Sequence, residues 1–184
     1  MKPSVFFTAD THFGHDKIVG LAKRPFDNIK DHDQSLIAWW NKAVHKGDTV
    51  YHLGDFAWHS IPAYREQLNG NIHLVLGNHD RLKSADIACF ASVSEYKKVK
   101  VDTQLIYMMH YAMRVWNRSH YGSWHLYGHS HGTLPDLPYA RSLDIGVDVH
   151  GYMPVPFERV AQLMARKTWR PVDQHGLPRI VSHV

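Results

Sequence analysis

An α/β fold follows from three observations. Short apolar runs have the β-branched and aromatic composition of buried strands, amphipathic helical stretches lie between them, and five of the runs end in a polar turn. Residues 5–7 lead through Thr8 and Ala9 into Asp10, Thr11 and His12. Residues 49–53 lead into Gly54 and Asp55, residues 72–76 into Gly77, Asn78, His79 and Asp80, residues 105–109 into His110, and residues 125–127 into Gly128, His129, Ser130 and His131. Residues 142–149 alternate apolar and polar and read as a further strand. The helical stretches follow the 3.6 period. Residues 31–44 carry Leu36, Ile37, Trp39, Trp40 and Val44, and open on acids that suit the positive end of a helix. Residues 61–68 have Pro62 in the first turn and Asn69-Gly70 as a stop. Residues 157–170 follow Pro154 and Pro156 and turn Val160, Leu163 and Met164 inward.

Composition bounds the class. At 184 residues the chain, 1–184, reads as one domain with an irregular tail over 170–184, large enough for a substantial core. With 44% hydrophobic and 21% charged residues it is an ordinary soluble globule. A net charge of +4 suits an anionic ligand but is too small an excess to argue for stable nucleic-acid binding. Lys97, Lys98 and Lys100 alternate around Val99 and Val101 before a turn at Asp102-Thr103, the pattern of a solvated hairpin edge. The single cysteine, Cys89, excludes an internal disulfide and suits a reducing compartment. No run approaches the length of a membrane span and no leader precedes the first strand, so the expected location is cytoplasmic, away from membranes.

The chemistry gathers at the strand ends. Asp10, His12, Asp55, Asn78, His110, His129 and His131 can each bind a hard or borderline cation, and layered α/β folds bind ligands beyond the carboxyl ends of their strands. In an extended segment, Asp10 and His12 would point to one side, as would His129 and His131. Histidine occurs 16 times, so isolated ones such as His32, His45, His59 and His175 read as surface or core residues; grouping separates the candidates from these. Imidazole, carboxylate and amide donors without thiolate suit Mn, Fe, Zn or Ni.

These motifs, Asp10-x-His12, Gly54-Asp55, Gly77-Asn78-His79-Asp80, His110 and Gly128-His129-x-His131, resemble in content and order those of the calcineurin-like metallophosphoesterases. The resemblance implies a four-layer α/β/β/α sandwich of two mixed sheets with flanking helices. It also implies a phosphoester hydrolase with two divalent metals, manganese favoured. One metal would take Asp10, His12 and His131, the other Asn78, His110 and His129, with Asp55 bridging. Water acidified between the metals would attack phosphorus, and His79 would contact the phosphate and protonate the leaving oxygen. Asp80 is expected to hold the His79 imidazole in its tautomer. Asp55 is followed by Phe56, Ala57 and Trp58 rather than the Arg-Gly of the protein-phosphatase branch. The chain is similar instead to small bacterial and phage members, which implies a phosphodiesterase acting on a small or nucleotide-like substrate. A phosphomonoesterase and a metal-dependent nuclease are the alternatives; the complete ligand set argues against a non-catalytic scaffold.

Further residues extend the site. His12-Phe13-Gly14-His15 and Arg24-Pro25-Phe26 also resemble the small members, which places His15 and Arg24 at the border of the phosphate site. The plain alternative is that His15 caps a helix starting near Asp16 and Arg24 is solvated at its end. Trp116, Tyr121 and Trp124, with Arg114, Arg118 and His120, suggest a loop over the metal centre that can stack a nucleobase, unless the tryptophans fold onto the core. His52 and His125 lie within strands and read as core or as outer partners of ligands.

Overall fold

The computed structural model describes residues 3–172. Its strands are β1 (Val5–Thr8), β2 (Thr49–His52), β3 (Asn71–Val75), β4 (Ser92–Ser94), β5 (Tyr96–Val101), β6 (Gln104–Met109), β7 (Trp124–Tyr127), β8 (Ser142–Asp144) and β9 (Val155–Pro156). The helices are α1 (Ile18–Leu21), α2 (Ile29–Ala43), α3 (Ile61–Glu66), α4 (Ser84–Ile87) and α5 (Phe157–Ala165). Two mixed sheets form, in the orders β4-β3-β2-β1-β9 and β5-β6-β7-β8. In the first, β1 to β4 run parallel and β9 antiparallel; in the second, β5 is antiparallel to a parallel β6-β7-β8 set.

Strand alternation sorts the core into two layers. Phe6, Val50, Ile72 and Leu74 face the helices and meet Leu36, Trp40 and Val44, whereas Phe7, Leu53 and Val75 face the second sheet and meet Ile106, Met108 and Leu126. Each such fully buried large side chain contributes roughly 1.5–3 kcal/mol. The sheets therefore pack face to face with flanking helices, and the polar ends of β1, β2, β3, β6 and β7 come out along one seam. Helix α2 starts where Asn28, in extended backbone, accepts the Asp31 N–H at 3.0 Å, and stops where Val44 returns to extended geometry. The lysines of β5 lie on an edge strand, in a hairpin whose two-residue turn is Asp102-Thr103. No helix among the described residues is long and apolar enough to cross a membrane.

Some expectations change. The helix expected over 157–170 ends at Ala165, because Thr168 and Arg170 give their N–H groups to the carbonyls of Pro138 and Tyr139. The strand expected over 142–149 stops at Asp144, whose carboxylate takes the Gly146 N–H at 2.8 Å; Val147 then bonds Ala9 and residues Val147–Val149 form a 3-10 turn. Helix α4 and strands β4 and β9 are too short for periodicity to reveal. Of the expected tail, residues 173–184, His175 among them, lie outside the described residues.

Candidate metal centre

The strand ends present their ligands by an unexpected geometry. Asp10 (φ 60°), His12 (51°), Asp55 (56°), His129 (68°) and His131 (46°) all adopt the left-handed conformation, so their side chains converge through turns rather than through the two-residue alternation of a strand. Asp and His tolerate this conformation better than most residues, yet each instance costs on the order of 1–3 kcal/mol and persists only where surroundings enforce it. The enforcement is visible. Asp10 and His12 give their N–H groups to the carbonyls of Gly54 and Asp55, continuing the β1–β2 pairing into the loops. Glycine is required at 128, where an added Cβ would lie 2.7 Å from Asp10 Oδ2.

Two ligand groups result: Asp10, His12 and His131, and Asp55, His110 and His129, the ligand atoms of each lying within 4.8 Å of one another. They adjoin through Asp55, whose Oδ2 is 3.6 Å from His12 Nε2 and 3.4 Å from His110 Nε2. Asn78 Oδ1 lies 3.1 Å from His110 Nε2, beside the second group. Outer partners set the tautomers. His110 Nδ1 donates to the Leu53 carbonyl at 2.7 Å and His131 Nδ1 meets Asp148 Oδ2 at 2.7 Å, which leaves each Nε2 for the centre. His12 Nε2 is buried without a hydrogen-bond partner among the described residues, and burial pushes its imidazole down to about 2, so it keeps a free lone pair. Burial pushes Asp10 up to about 7 against the pull of His131 and His110. Asp55 is also raised by burial, but the hydrogen bond and charge of His110 outweigh this and hold it below the usual carboxylate range. An orphaned buried imidazole nitrogen and two enclosed carboxylates are a donor set that divalent cations fit.

Arg24 does not line the cleft, contrary to its expected place at the border of a phosphate site. It is buried, and its five N–H donors are all engaged: Nε and Nη2 with Asp148 (2.8 and 2.7 Å), Nη2 with the Asp10 carbonyl (2.7 Å), and Nη1 with the Thr11 carbonyl (3.2 Å) and His32 Nε2 (2.8 Å). His32 in turn meets Asp33, which accepts from the Gly14 N–H and the Tyr64 hydroxyl. A polar chain thus runs from helix α2 through Arg24 and Asp148 to His131. Asp148 escapes a sequence reading, since it is the polar member of an alternating apolar run that carries no motif.

Asp80 also departs from its expected role. Its carboxylate accepts from the backbone N–H groups of Asp55 (2.8 Å), Phe56 (2.9 Å) and Gly77 (2.8 Å), tying the loops after β2 and β3 together instead of orienting the His79 ring. His79 stands exposed at the mouth of the centre, its ring centroid 5.6 Å from His12 and 5.3 Å from Trp58, while its backbone N–H bonds Asp55 Oδ1 at 2.9 Å. His15 lines the same cleft, stacked at 4.2 Å on Trp58, and its side chain caps no helix. Trp116 and Trp124 are buried, Trp116 against His125 and Trp124 against Phe157, and neither lines the cleft at the metal ligands. Tyr111, which no motif marks, places its ring 4.6 Å from that of His129.

His52 and His125 support from within. His52 bonds the Thr11 hydroxyl at 2.9 Å, and His125 accepts the Met113 N–H at 3.0 Å. Burial lowers them to about 3 and about 4, below the ordinary 6.5, so on acidification the unfolded chain takes up these protons first. Metal-free protein should lose stability as pH falls below about 6.5, by ~1.4 kcal/mol per pH unit for each of the two. Urea midpoints between pH 7 and 4.5 check this; His52→Gln should flatten the decline, and an unchanged slope would contradict it.

A family model described as the calcineurin-like phosphoesterase superfamily domain matches residues 4–136. The protein MJ1445 of Methanocaldococcus jannaschii is 28% identical over 172 residues, covering 88% of this chain and 92% of that protein. The gene 66 protein of Mycobacterium phage L5 is 34% identical over 83 residues, which cover 42% of this chain and 40% of the phage protein. Among solved structures, protein AQ665 of Aquifex aeolicus superposes with a TM-score of 0.70 at 22% identity, covering 88% of this chain and all of that one, and so shares the fold.

Proposed function

The chain belongs to the calcineurin-like phosphoesterase superfamily, a family of phosphoester hydrolases, and from that premise we propose that it is a two-metal hydrolase of small, nucleotide-like phosphodiesters. The observation that carries this reading is the pair of ligand groups joined through Asp55. Asp10, His12 and His131 would hold one cation, Asn78, His110 and His129 the other, and Asp55 would reach both. Oxygen and imidazole donors without thiolate suit Mn, Fe, Zn or Ni, and the resemblance to the family, not the donor set, favours manganese among them. Such a pair of cations acidifies water and neutralises charge developing on phosphorus.

The protein's own groups do the rest. Asp80 holds the Asp55 backbone N–H, and the His79 backbone N–H holds the Asp55 carboxylate. His79, at the cleft surface, delivers a proton to the leaving oxygen, and His15 borders the phosphate beside it. Among the described residues neither cleft at His79 is lined by a carboxylate, which suits a substrate carrying negative charge.

Metal analysis of purified, reconstituted protein, joined to a panel of aryl phosphodiesters and monoesters, tests the reading. Occupancy should reach about two cations per chain, and Asp55→Asn should hold one or fewer. Full occupancy without turnover of any phosphoester would overturn it.

A further inference from the structure

Two clefts meet at Trp58 and His79, which line both, and the larger of them reaches the candidate metal ligands. The larger, about 610 Å³, has the ligands His12, His129 and His131 at its base and an apolar flank of Ile18, Leu21 and Ala22, with Lys23 beyond. The smaller, about 420 Å³, runs past Trp58 over Ile61 to Arg81. A phosphomonoester has one organic arm and would leave one cleft unused, whereas a diester has two.

The smaller cleft has a particular chemistry. Trp58 is 52% exposed in a chain that buries Trp40, Trp116 and Trp124. Its indole is stacked on His15 with an interplanar angle of 14°, which fixes its plane while leaving much of its surface to solvent. A rigid, exposed aromatic plane next to a hydrolytic centre is a platform for a planar ring, and base stacking tolerates every base because each has a π face. Arg81 is exposed, and neither its side chain nor that of Lys23 has an ion pair or hydrogen bond among the described residues. An uncommitted guanidinium lining the same cleft as a stacking platform suits a second phosphate.

Resting on the hydrolase reading above, we propose that the substrate is a nucleotide diester with two unequal arms. Its nucleobase stacks on Trp58 with any further phosphate on Arg81, and its other arm lies along Ile18 and Leu21. Trp58 is then the residue that sets specificity, and Trp116 and Trp124 are buried in keeping with the core alternative.

The test compares kcat/KM of the metal-loaded full chain for thymidine 5′-(4-nitrophenyl phosphate) and methyl 4-nitrophenyl phosphate, which share a leaving group and differ in the base. The parent should favour the nucleotide. Trp58→Ala should reduce the ratio of the two by roughly 5–150-fold, mostly through KM, and Trp58→Phe should restore most of it. Binding of thymidine 5′-monophosphate, followed by titration calorimetry, should weaken in parallel in Trp58→Ala. Arg81→Gln should lower efficiency selectively on a nucleotide diester that bears an additional 3′-phosphate. Equal losses on both substrates in Trp58→Ala, or none, would overturn the platform while leaving the hydrolase standing. If the parent turns over neither substrate, the hydrolase reading falls and this proposal falls with it.

Discussion

His79→Ala should bind as much metal as the parent and lose about 10²–10⁴-fold in kcat, the usual worth of a positioned proton donor. The two halves of this expectation come from different atoms of one residue. The contact that holds Asp55 is made by the His79 backbone N–H, at 2.9 Å from Oδ1, and an alanine keeps it. The loop itself is held by Asp80 through the N–H groups of Asp55, Phe56 and Gly77, none of which the substitution touches. What disappears is the exposed imidazole between His12, His15 and Trp58, at the junction of both clefts. Turnover should recover partly on esters whose leaving groups need no proton, which separates acid catalysis from phosphate positioning. A variant within about threefold of the parent on a poor leaving group would contradict the assignment, set against that range.

Arg24→Met should destabilise the protein by about 3–5 kcal/mol, the cost of leaving a buried partner charge uncompensated. Its guanidinium is fully enclosed, and truncation strands the Asp148 carboxylate together with the carbonyls of Asp10 and Thr11. For a chain of this size such a loss corresponds to a melting temperature lower by roughly 6–20 °C. Arg24→Lys should rescue little, because one ammonium has three donors where five are engaged. The double variant Arg24→Met with Asp148→Asn should cost clearly less than the sum of the single ones, since the second change removes the stranded charge. A urea midpoint within about 1 kcal/mol of the parent, at unchanged denaturant slope, would show the network to be dispensable.

The candidate ligands were legible because Asp, Asn, His and Gly are out of place at the ends of apolar runs such as 5–7 and 105–109. Helix α2 and strands β1, β2, β3, β6 and β7 were legible from their apolar patterns, with ends displaced by a residue or two, whereas β8 stops short at Asp144 and β4 carried no readable pattern. The chain of contacts behind the ligands was not. Arg24 and Asp148 are 124 residues apart, and neither sits in a pattern that anticipates the other; Arg24, beside a matched motif, was read as a substrate contact when its donors turn inward. The left-handed ligands were missed for a similar reason. A two-residue spacing predicts one-sided convergence in a strand, and the same convergence arises here from turns that only the packing of two loops makes visible. Trp58 was seen as a departure from a motif, and its exposure, which gives it a use, belongs to the folded surface.

Each ligand group draws on both sheets. Asp10 and His12 follow β1 in the first while His131 follows β7 in the second; Asp55 follows β2, while His110 and His129 follow β6 and β7. A cation held by either group would therefore rivet together two slabs whose buried faces meet through apolar side chains, and would do so at their polar rim. Sliding one slab past the other would mean breaking coordination bonds, so loading should stiffen the sandwich as well as equip it, with amide exchange slowing first at the rim and least at the far edge.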